Sequence, residues 1–214
     1  MKRNIKNILF DFDGTLVDSL PGIEMSVKEA ISSVMPGRKI GSLRAFIGPP
    51  VEAVFSQVLG KINEESMAKL IAKFRESYDI LGLKKTSAYC GVKKTLELLK
   101  EKGIRCFIVT NKPTYPTTCI LENLALDDLF EDVVSRDSFN PPLTSKLEVS
   151  TSLMNKHRLA SENTLFVGDS IDDAKSAKKL GLQFIAVDYG YGMVNKSNSE
   201  LCSIERFSQI LSFL

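Results

Sequence analysis

Two groups of carboxylates in this chain each follow directly on an apolar run. The first is Asp11-Phe12-Asp13-Gly14-Thr15, after Ile8-Leu9-Phe10. The second is Gly168-Asp169-Ser170, after Leu165-Phe166-Val167, with Asp173 closing the pattern D-S-x-x-D. A short apolar run ending in acids and glycine reads as a buried strand that stops at its carboxyl end. Ligands of open α/β sheets bind at those ends, near a change in strand order. If the two strands are neighbours, Asp11, Asp13 and Asp169 converge on one small volume. Carboxylates that close require a compensating cation. Magnesium fits, because it prefers oxygen ligands, keeps several waters and commonly shares its shell with a substrate phosphate.

Asp11 is then a candidate nucleophile. A carboxylate can attack phosphorus and form an aspartyl-phosphate, which splits one hard displacement into two easier ones. Asp13, two residues on, can reach the leaving oxygen as general acid and later activate water as general base. Gly14 allows the sharp turn needed just after the strand. The bland alternative is that these acids cap helices or sit in turns, where Asp and Gly are common. That alternative suits either group alone better than it suits both together.

These residues need a scaffold, and the rest of the chain predicts one. Residues 20–35 show helical spacing and end at Pro36-Gly37, 43–46 suit one more helical turn, and Gly48-Pro49-Pro50 marks a loop. Residues 51–59 and 66–81 read as two further amphipathic helices, so 17–80 carries helices and no convincing strand. After Gly91 the rhythm changes. Helices are expected at 92–102, 115–123, 145–156, 172–180 and 204–213, and strands at 104–110, 131–135, 164–167 and 184–187. Strands alternating with helices imply a parallel sheet covered on its faces. The fold class is therefore α/β: a Rossmann-like, doubly wound core over 1–16 and 81–214, with a helical cap domain, 17–80, inserted after the first strand. The polar stretch 195–199 reads as a surface loop.

Bulk properties agree with one such domain plus an insert. The chain has 214 residues, 43% of them hydrophobic and 25% charged, with a formal net charge of +2. A sizeable core can be buried, and nothing in the charge argues for nucleic acid or an anionic membrane as partner. The four cysteines are widely spaced without a C-x-x-C unit, so reduced thiols are the simplest reading, with Cys106 a small core residue. The apolar stretch near the N-terminus is too short for a signal-peptide core or a membrane span, and a cytoplasmic location is expected.

The order of these features resembles the haloacid dehalogenase superfamily, in its phosphoglycolate-phosphatase-like branch with a helical C1-type cap. DFDGTLVDS (11–19) is similar to the first motif, IVTNK (108–112) to the second, Lys146 to the third-motif lysine and VGDSIDDAKSAKKLG (167–181) to the fourth. The third stretch, Asn140-Pro-Pro-Leu-Thr-Ser-Lys146, departs from the Lys-Pro of many relatives, which leaves Lys112 and Lys156 as other candidates. The resemblance implies roles. Asp11 would be nucleophile and magnesium ligand. Asp13 would be the acid/base, with its carbonyl on the metal. Thr110, helped by the Asn111 backbone, would bind a phosphoryl oxygen. Lys146 would hold the phosphate and offset Asp11. Asp169 would complete the metal site, and Asp173 would join it through a water or by orienting Lys146. Phosphoryl transfer needs mainly positioning and charge compensation, which this set provides. Asp13 also argues against the dehalogenase branch, which lacks an acid there.

In this branch a cap loop closes over the site, so Arg44 and the Ile47-Gly48-Pro49-Pro50 turn are candidates for reading the substrate. The same turn also serves as an ordinary helix joint. His157, the one histidine, is expected on the surface near a helix end, Lys175, Lys178 and Lys179 on a solvated face, and Met25, Phe55 and Phe74 in the core. The expected activity is a magnesium-dependent phosphatase acting on a small phosphorylated metabolite (phosphoglycolate, a sugar phosphate or a nucleoside monophosphate), as a monomer or weak homodimer. Rival readings are a phosphomutase of the same superfamily, a signalling receiver domain and a silent binding module. A receiver puts its acid pair and phospho-acceptor on different strands and has no such insert. Close carboxylates are costly to keep without a metal-dependent task, which argues against the silent module.

Overall fold

The computed structural model describes residues 4–192 and 202–214; the expected loop at 195–199 lies outside the described residues. The strands are β1 (Asn7–Phe10), β2 (Val17–Asp18), β3 (Ser87–Ala88), β4 (Arg105–Thr110), β5 (Asp132–Ser135), β6 (Thr164–Gly168), β7 (Gln183–Val187) and β8 (Ser203–Ile204). The helices are α1 (Leu20–Val34), α2 (Val51–Leu59), α3 (Glu64–Ser77), α4 (Val92–Glu101), α5 (Thr114–Asn123), α6 (Lys146–His157) and α7 (Ile171–Lys179). Six parallel strands make the main sheet in the order β5-β4-β1-β6-β7-β8. The chain runs outward from β1 to β5, then returns to lay β6 on the other side of β1. The switch in strand order therefore falls at β1.

Side-chain alternation explains why this sheet is covered on both faces. Ile8 and Phe10 point to one side with Ile108, Val167 and Ile185, where they meet Leu96 and Leu99 of α4, Ile120 of α5 and Phe207. Leu9 points to the other with Phe107, Val109 and Phe166, against Val149 and Leu153 of α6 and Ala177 of α7. All four residues of β1 are buried, as a strand with layers on both faces requires. Each large apolar side chain buried this way contributes on the order of 2 kcal/mol.

Helices α1 to α3 form the segment between β2 and β3. Phe55 and Phe74 pack edge to face at 6.4 Å, and Tyr78 stacks on Phe74 at 5.1 Å, an aromatic group within the same buried cluster that holds Ile8 and Phe10. Helix α3 starts two residues earlier than the spacing predicts, because the Asn63 side chain accepts from the Ser66 N–H at 2.8 Å and caps it. It then runs into a π-helical turn, Tyr78–Gly82, and a 3-10 turn, Leu83–Lys85. The Cβ that any other residue would carry at Gly22 of α1 would stand 2.0 Å from the Gly82 carbonyl oxygen, so glycine lets the turn lie directly on α1.

Two expectations fail locally. The stretch 17–80 does contain a strand, since β2 pairs antiparallel with β3. Two residues are too few to show a period, and their partner lies far along the chain. The C-terminal stretch is not one helix from 204. Ile204 belongs to β8, and only Phe207–Phe213 is helical, as a 3-10 helix. His157 ends α6 as expected, but it is not a free surface group. Its Nε2 lies 2.7 Å from Asp132 Oδ2, and its ring packs 4.9 Å from Phe107. Cys106, Phe55 and Phe74 are buried as expected. No helix of the described residues is long and apolar enough to cross a membrane.

Candidate active site

Parallel pairing sets the site. Phe10 lies opposite Ile108 on one side and Val167 on the other, so β1, β4 and β6 end side by side. Asp11 follows at once, its N–H donating to the Val167 carbonyl at 2.9 Å. Asp169 follows β6, and Thr110 ends β4.

Helix ends bring in two more groups. Ser170 caps α7: its Oγ accepts from the Asp173 N–H at 3.2 Å, while Asp173 Oδ2 accepts from the Ser170 N–H at 3.1 Å and hydroxyl at 2.6 Å. This reciprocal capping box is the physical content of the D-S-x-x-D spacing. It also fixes Asp173 so that its other oxygen, Oδ1, faces inward, buried and 3.2 Å from the Lys146 ammonium. Ser145 caps α6 by accepting from the Glu148 N–H, which places Lys146 at the first helical position. A cation at a helix N-terminus opposes the helix dipole. Acids compensate it: Lys146 Nζ contacts Asp11 Oδ1, lies 3.2 Å from Asp173 Oδ1 and donates to the Val109 carbonyl at 3.0 Å.

Asp11, Asp169 and Asp173 thus form one buried cluster, with an oxygen of each within 4.8 Å of the others. Burial holds the Asp11 carboxyl well above the usual carboxylate range; Lys146 pulls it down without cancelling that effect, and Asp173 and Asp169 push it further up. Burial, then Asp173, raises Asp169 to about 6, against the N–H groups of Gly192 and Tyr191 that donate to its Oδ2 at 2.9 and 2.6 Å. Burial alone would lower the Lys146 pKa, but Asp11 and Asp173 outweigh it and hold the ammonium above the ordinary lysine value. Three carboxylates against one ammonium leave two negative charges, which one divalent cation would offset. The donor set is all carboxylate oxygen, gathered within 4.8 Å, as a hard cation such as magnesium requires.

The other expected site residues lie around this cluster. The Asp13 carboxylate is not part of it; both its oxygens accept from Lys112 Nζ, at 3.2 and 3.3 Å. Thr110 is 1% exposed, and its Oγ1 accepts from the Lys112 N–H at 3.1 Å. Asn111 reaches across to the Gly48 carbonyl at 3.4 Å. Arg44 donates to the Tyr189 and Gly190 carbonyls at 3.2 and 2.7 Å and covers the Tyr191 ring at 5.4 Å, so it grips the loop whose N–H groups hold Asp169. Of the three lysines considered for the third motif, Lys146 contacts Asp11, Lys112 contacts Asp13, and Lys156 sits outside on Asp132.

A cavity of about 560 Å³ lies between the helical segment and the strand ends. Asp13, Asn111 and Lys112 line it, together with Arg75, Arg136 and the apolar side chains of Ile23, Ile47, Val54 and Phe74. Sequence reasoning missed Lys112 as the partner of Asp13, as well as Tyr78, Arg75 and Arg136. Lys112 directly follows Thr110-Asn111 and was legible as a candidate; the others lie on helices and loops whose side-chain types carry no spacing signal.

Gly14 has φ +87°, and a Cβ there would stand 2.3 Å from Asp169 Oδ2. Gly14→Ala is therefore expected to cost about 1–3 kcal/mol of stability, from positive φ and the forced shift of Asp169. It should also lower activity at least tenfold, since sub-ångström displacements of reacting groups are costly. A denaturation curve and a phosphate-release assay check both.

Residues 8–187 match the family model described as haloacid dehalogenase-like hydrolase. The chain is 33% identical over 198 residues to a phosphoglycolate phosphatase of Vibrio vulnificus, covering 89% of this chain and 86% of that protein. It is 32% identical over 187 residues to a 5'-nucleotidase of Pseudomonas aeruginosa, covering 87% and 84%. A crystal structure described as a predicted phosphatase from Clostridium acetobutylicum superposes with a TM-score of 0.86 at 28% identity, over 97% of each chain.

Proposed function

The chain belongs to the haloacid dehalogenase-like hydrolase family as one of its phosphatases, and from that premise we propose that it hydrolyses a small phosphomonoester through a phospho-aspartate on Asp11. The observation that carries this reading is the buried cluster of Asp11, Asp169 and Asp173 with Lys146 at the ends of β1 and β6. The proposal includes a helical cap over 17–80 on a core of 1–16 and 81–214, a cytoplasmic location and magnesium as the cation.

Asp11, Asp169 and Asp173 would hold the metal, with the Asp13 carbonyl as a further oxygen. The bound ion would supply charge compensation for the phosphoryl oxygens. In the first step an Asp11 oxygen bonds to phosphorus as the ester P–O bond breaks, and the leaving oxygen takes a proton from the Asp13 carboxyl. In the second, water attacks phosphorus and gives its proton to the Asp13 carboxylate. The bond to Asp11 breaks, and inorganic phosphate leaves. Lys146 keeps Asp11 in line and balances its charge, while Thr110 and the Asn111 N–H steady the transferred group. Asp13 is the one acid of the set that lines the cavity, which suits contact with the leaving group.

The cavity size and its lining, where apolar side chains mix with basic Arg75, Lys112 and Arg136 and with acidic Glu52, Asp79 and Asp137, support a small polar ester such as phosphoglycolate, a sugar phosphate or a nucleoside monophosphate, and the relatives bear the names phosphoglycolate phosphatase and 5'-nucleotidase. The test is a phosphate-release screen over such esters with Mg²⁺ and with chelator. Release that depends on Mg²⁺ is expected. An isomerised sugar phosphate without free phosphate would replace hydrolysis by phosphoryl transfer between hydroxyls.

Metal binding also predicts a stability signature. Mg²⁺ at about a hundred times its Kd stabilises by about 2.7 kcal/mol, which for a chain this long raises Tm by roughly 5–10 °C. Without metal the raised Asp169 pKa makes its charge a penalty, absent below the ordinary value of 3.8 and complete above about 6. Asp169→Asn should therefore raise the metal-free Tm at pH 7.5, with less gain at pH 5, and should lose most of the Mg²⁺ shift. A thermal melt series in pH and Mg²⁺ reads all three.

A further inference from the structure

Lys112 and Tyr78 take no part in the scheme above, yet Lys112 is buried against its acid and Tyr78 against Lys112. Lys112 is 8% exposed and Tyr78 3%. The lysine divides its ammonium between the two Asp13 oxygens, at 3.2 and 3.3 Å, and the Tyr78 hydroxyl at 2.7 Å, and lies 4.8 Å from the centre of the Tyr78 ring. Burial pushes its pKa down, but Asp13 and Tyr78 together hold it above the ordinary lysine value, so it remains an ammonium at working pH.

The three residues come from three separate places. Asp13 follows β1, Lys112 follows β4, and Tyr78 opens the π-helical turn by which α3 returns to the core. That turn is not free to drift. Its Tyr78 ring stacks on Phe74 with an interplanar angle of 11°, and the Gly82 carbonyl lies against Gly22 of α1. A bond to the Tyr78 hydroxyl is therefore a bond to the root of the helical segment. A flexible four-carbon ammonium loses much side-chain entropy when fixed. Two independent anchors, from the strand end and from the helical segment, fix this one.

We propose that Lys112 and Tyr78 are positioning residues for the general acid: Tyr78 aims the Lys112 ammonium, the ammonium orients the Asp13 carboxyl toward the leaving oxygen, and the placement of the helical segment is thereby coupled to proton delivery. This rests on Asp13 as the acid of the proposed reaction. It explains why both oxygens of Asp13 meet one buried cation beside the cavity instead of joining the carboxylate cluster. It also gives a reason for a buried tyrosine hydroxyl where phenylalanine would pack as well.

The experiment compares two leaving groups. An alkyl phosphate needs a proton on its departing oxygen, whereas p-nitrophenyl phosphate leaves as a stabilised anion and needs little help. Positioned general acids contribute about 10²–10⁴-fold, and misplacement costs up to about 10²-fold. Read in the first step alone, as single-turnover release of the alcohol, Tyr78→Phe, which keeps the ring and the stack, is expected to slow the alkyl ester about tenfold and p-nitrophenyl phosphate by no more than about twofold; the second step, in which Asp13 is the base, is common to both esters and stands outside the comparison. Lys112→Met is expected to show the same selectivity at about 10²-fold, Lys112→Arg to recover part of it, and the Tyr78→Phe/Lys112→Met double variant to be no worse than Lys112→Met alone. Equal losses on both esters in that first step, or an effect on substrate affinity only, would overturn the proposal, as would full additivity. Asp13→Asn is the reference. If it discriminates between the esters and the Lys112 and Tyr78 variants do not, the positioning inference fails alone. If Asp13→Asn fails to discriminate, the assignment of Asp13 as the acid fails first.

Discussion

Asp11→Asn is expected to lower phosphate release at least about 10⁴-fold, because removal of a covalent nucleophile cannot be made up by the groups that surround it. Asparagine keeps the shape and can still accept from the Thr15 hydroxyl, which lies 3.4 Å from Asp11 Oδ2. The change also removes a charge that burial disfavours, so the variant should fold with a Tm close to that of the parent. Rapid quench with a ³²P-labelled ester should trap an acid-stable, hydroxylamine-labile label on the parent and none on the variant. Turnover within a hundredfold of the parent would remove Asp11 as the nucleophile.

Lys146→Met has a different profile, large in stability as well as in rate. Lys146 is 6% exposed, and it is the cation in direct contact with both Asp11 and Asp173. Methionine replaces its length but leaves three clustered carboxylates without their ammonium. Breaking a buried pair by removing one partner typically costs about 3–5 kcal/mol, here roughly 10 °C in Tm. The sign with pH follows from which form the folded state now disfavours. Loss of Lys146 raises the folded pKa of Asp11 and Asp169, which it pulls down in the parent, so the penalty grows with pH and shrinks as pH falls through the range where they protonate. The deficit against the parent should be smaller at pH 5.5 than at pH 7.5, and Mg²⁺ should recover part of it at the higher pH. A deficit that is flat in pH and indifferent to Mg²⁺ would mean the loss is one of packing. Phosphate release should fall at least about 10²-fold in either case.

Much of this frame was legible in the sequence because it depends on local patterns. β1 and β6 show as apolar runs closing on acids, whereas the caps at Ser145 and Ser170 emerge only in the structure. Asp173 was legible through the D-S-x-x-D spacing, which the capping box explains. What the sequence hid depends on distant contacts or on backbone groups. The β2–β3 ribbon is two residues deep on each side. The donors to Asp169 Oδ2 are backbone N–H groups, those of Tyr191 and Gly192, and glycine is needed at 192 because a Cβ would stand 2.0 Å from the Asp169 carbonyl oxygen. Arg44 was legible as a basic residue beside a Gly-Pro-Pro turn, but its backbone partners at 189 and 190 were not. The division of labour between Lys112 and Lys146 turns on which acid each one meets, and spacing along the chain carries no information about that.

The ribbon has a consequence for how such a protein can change. Val17 faces Ala88 and Asp18 faces Ser87, so the chain leaves the sheet and comes back to it at adjoining points. Whatever lies between must begin and end at neighbouring points and must still meet the core through contacts such as Arg44 on Gly190, Gly48 on Asn111 and Tyr78 on Lys112. Helices α1 to α3 can therefore be lengthened, shortened or traded as a cassette while the six parallel strands keep their register. On the proposed reading of that segment as a cap, the choice of ester can then drift while the strand-end acids stay fixed.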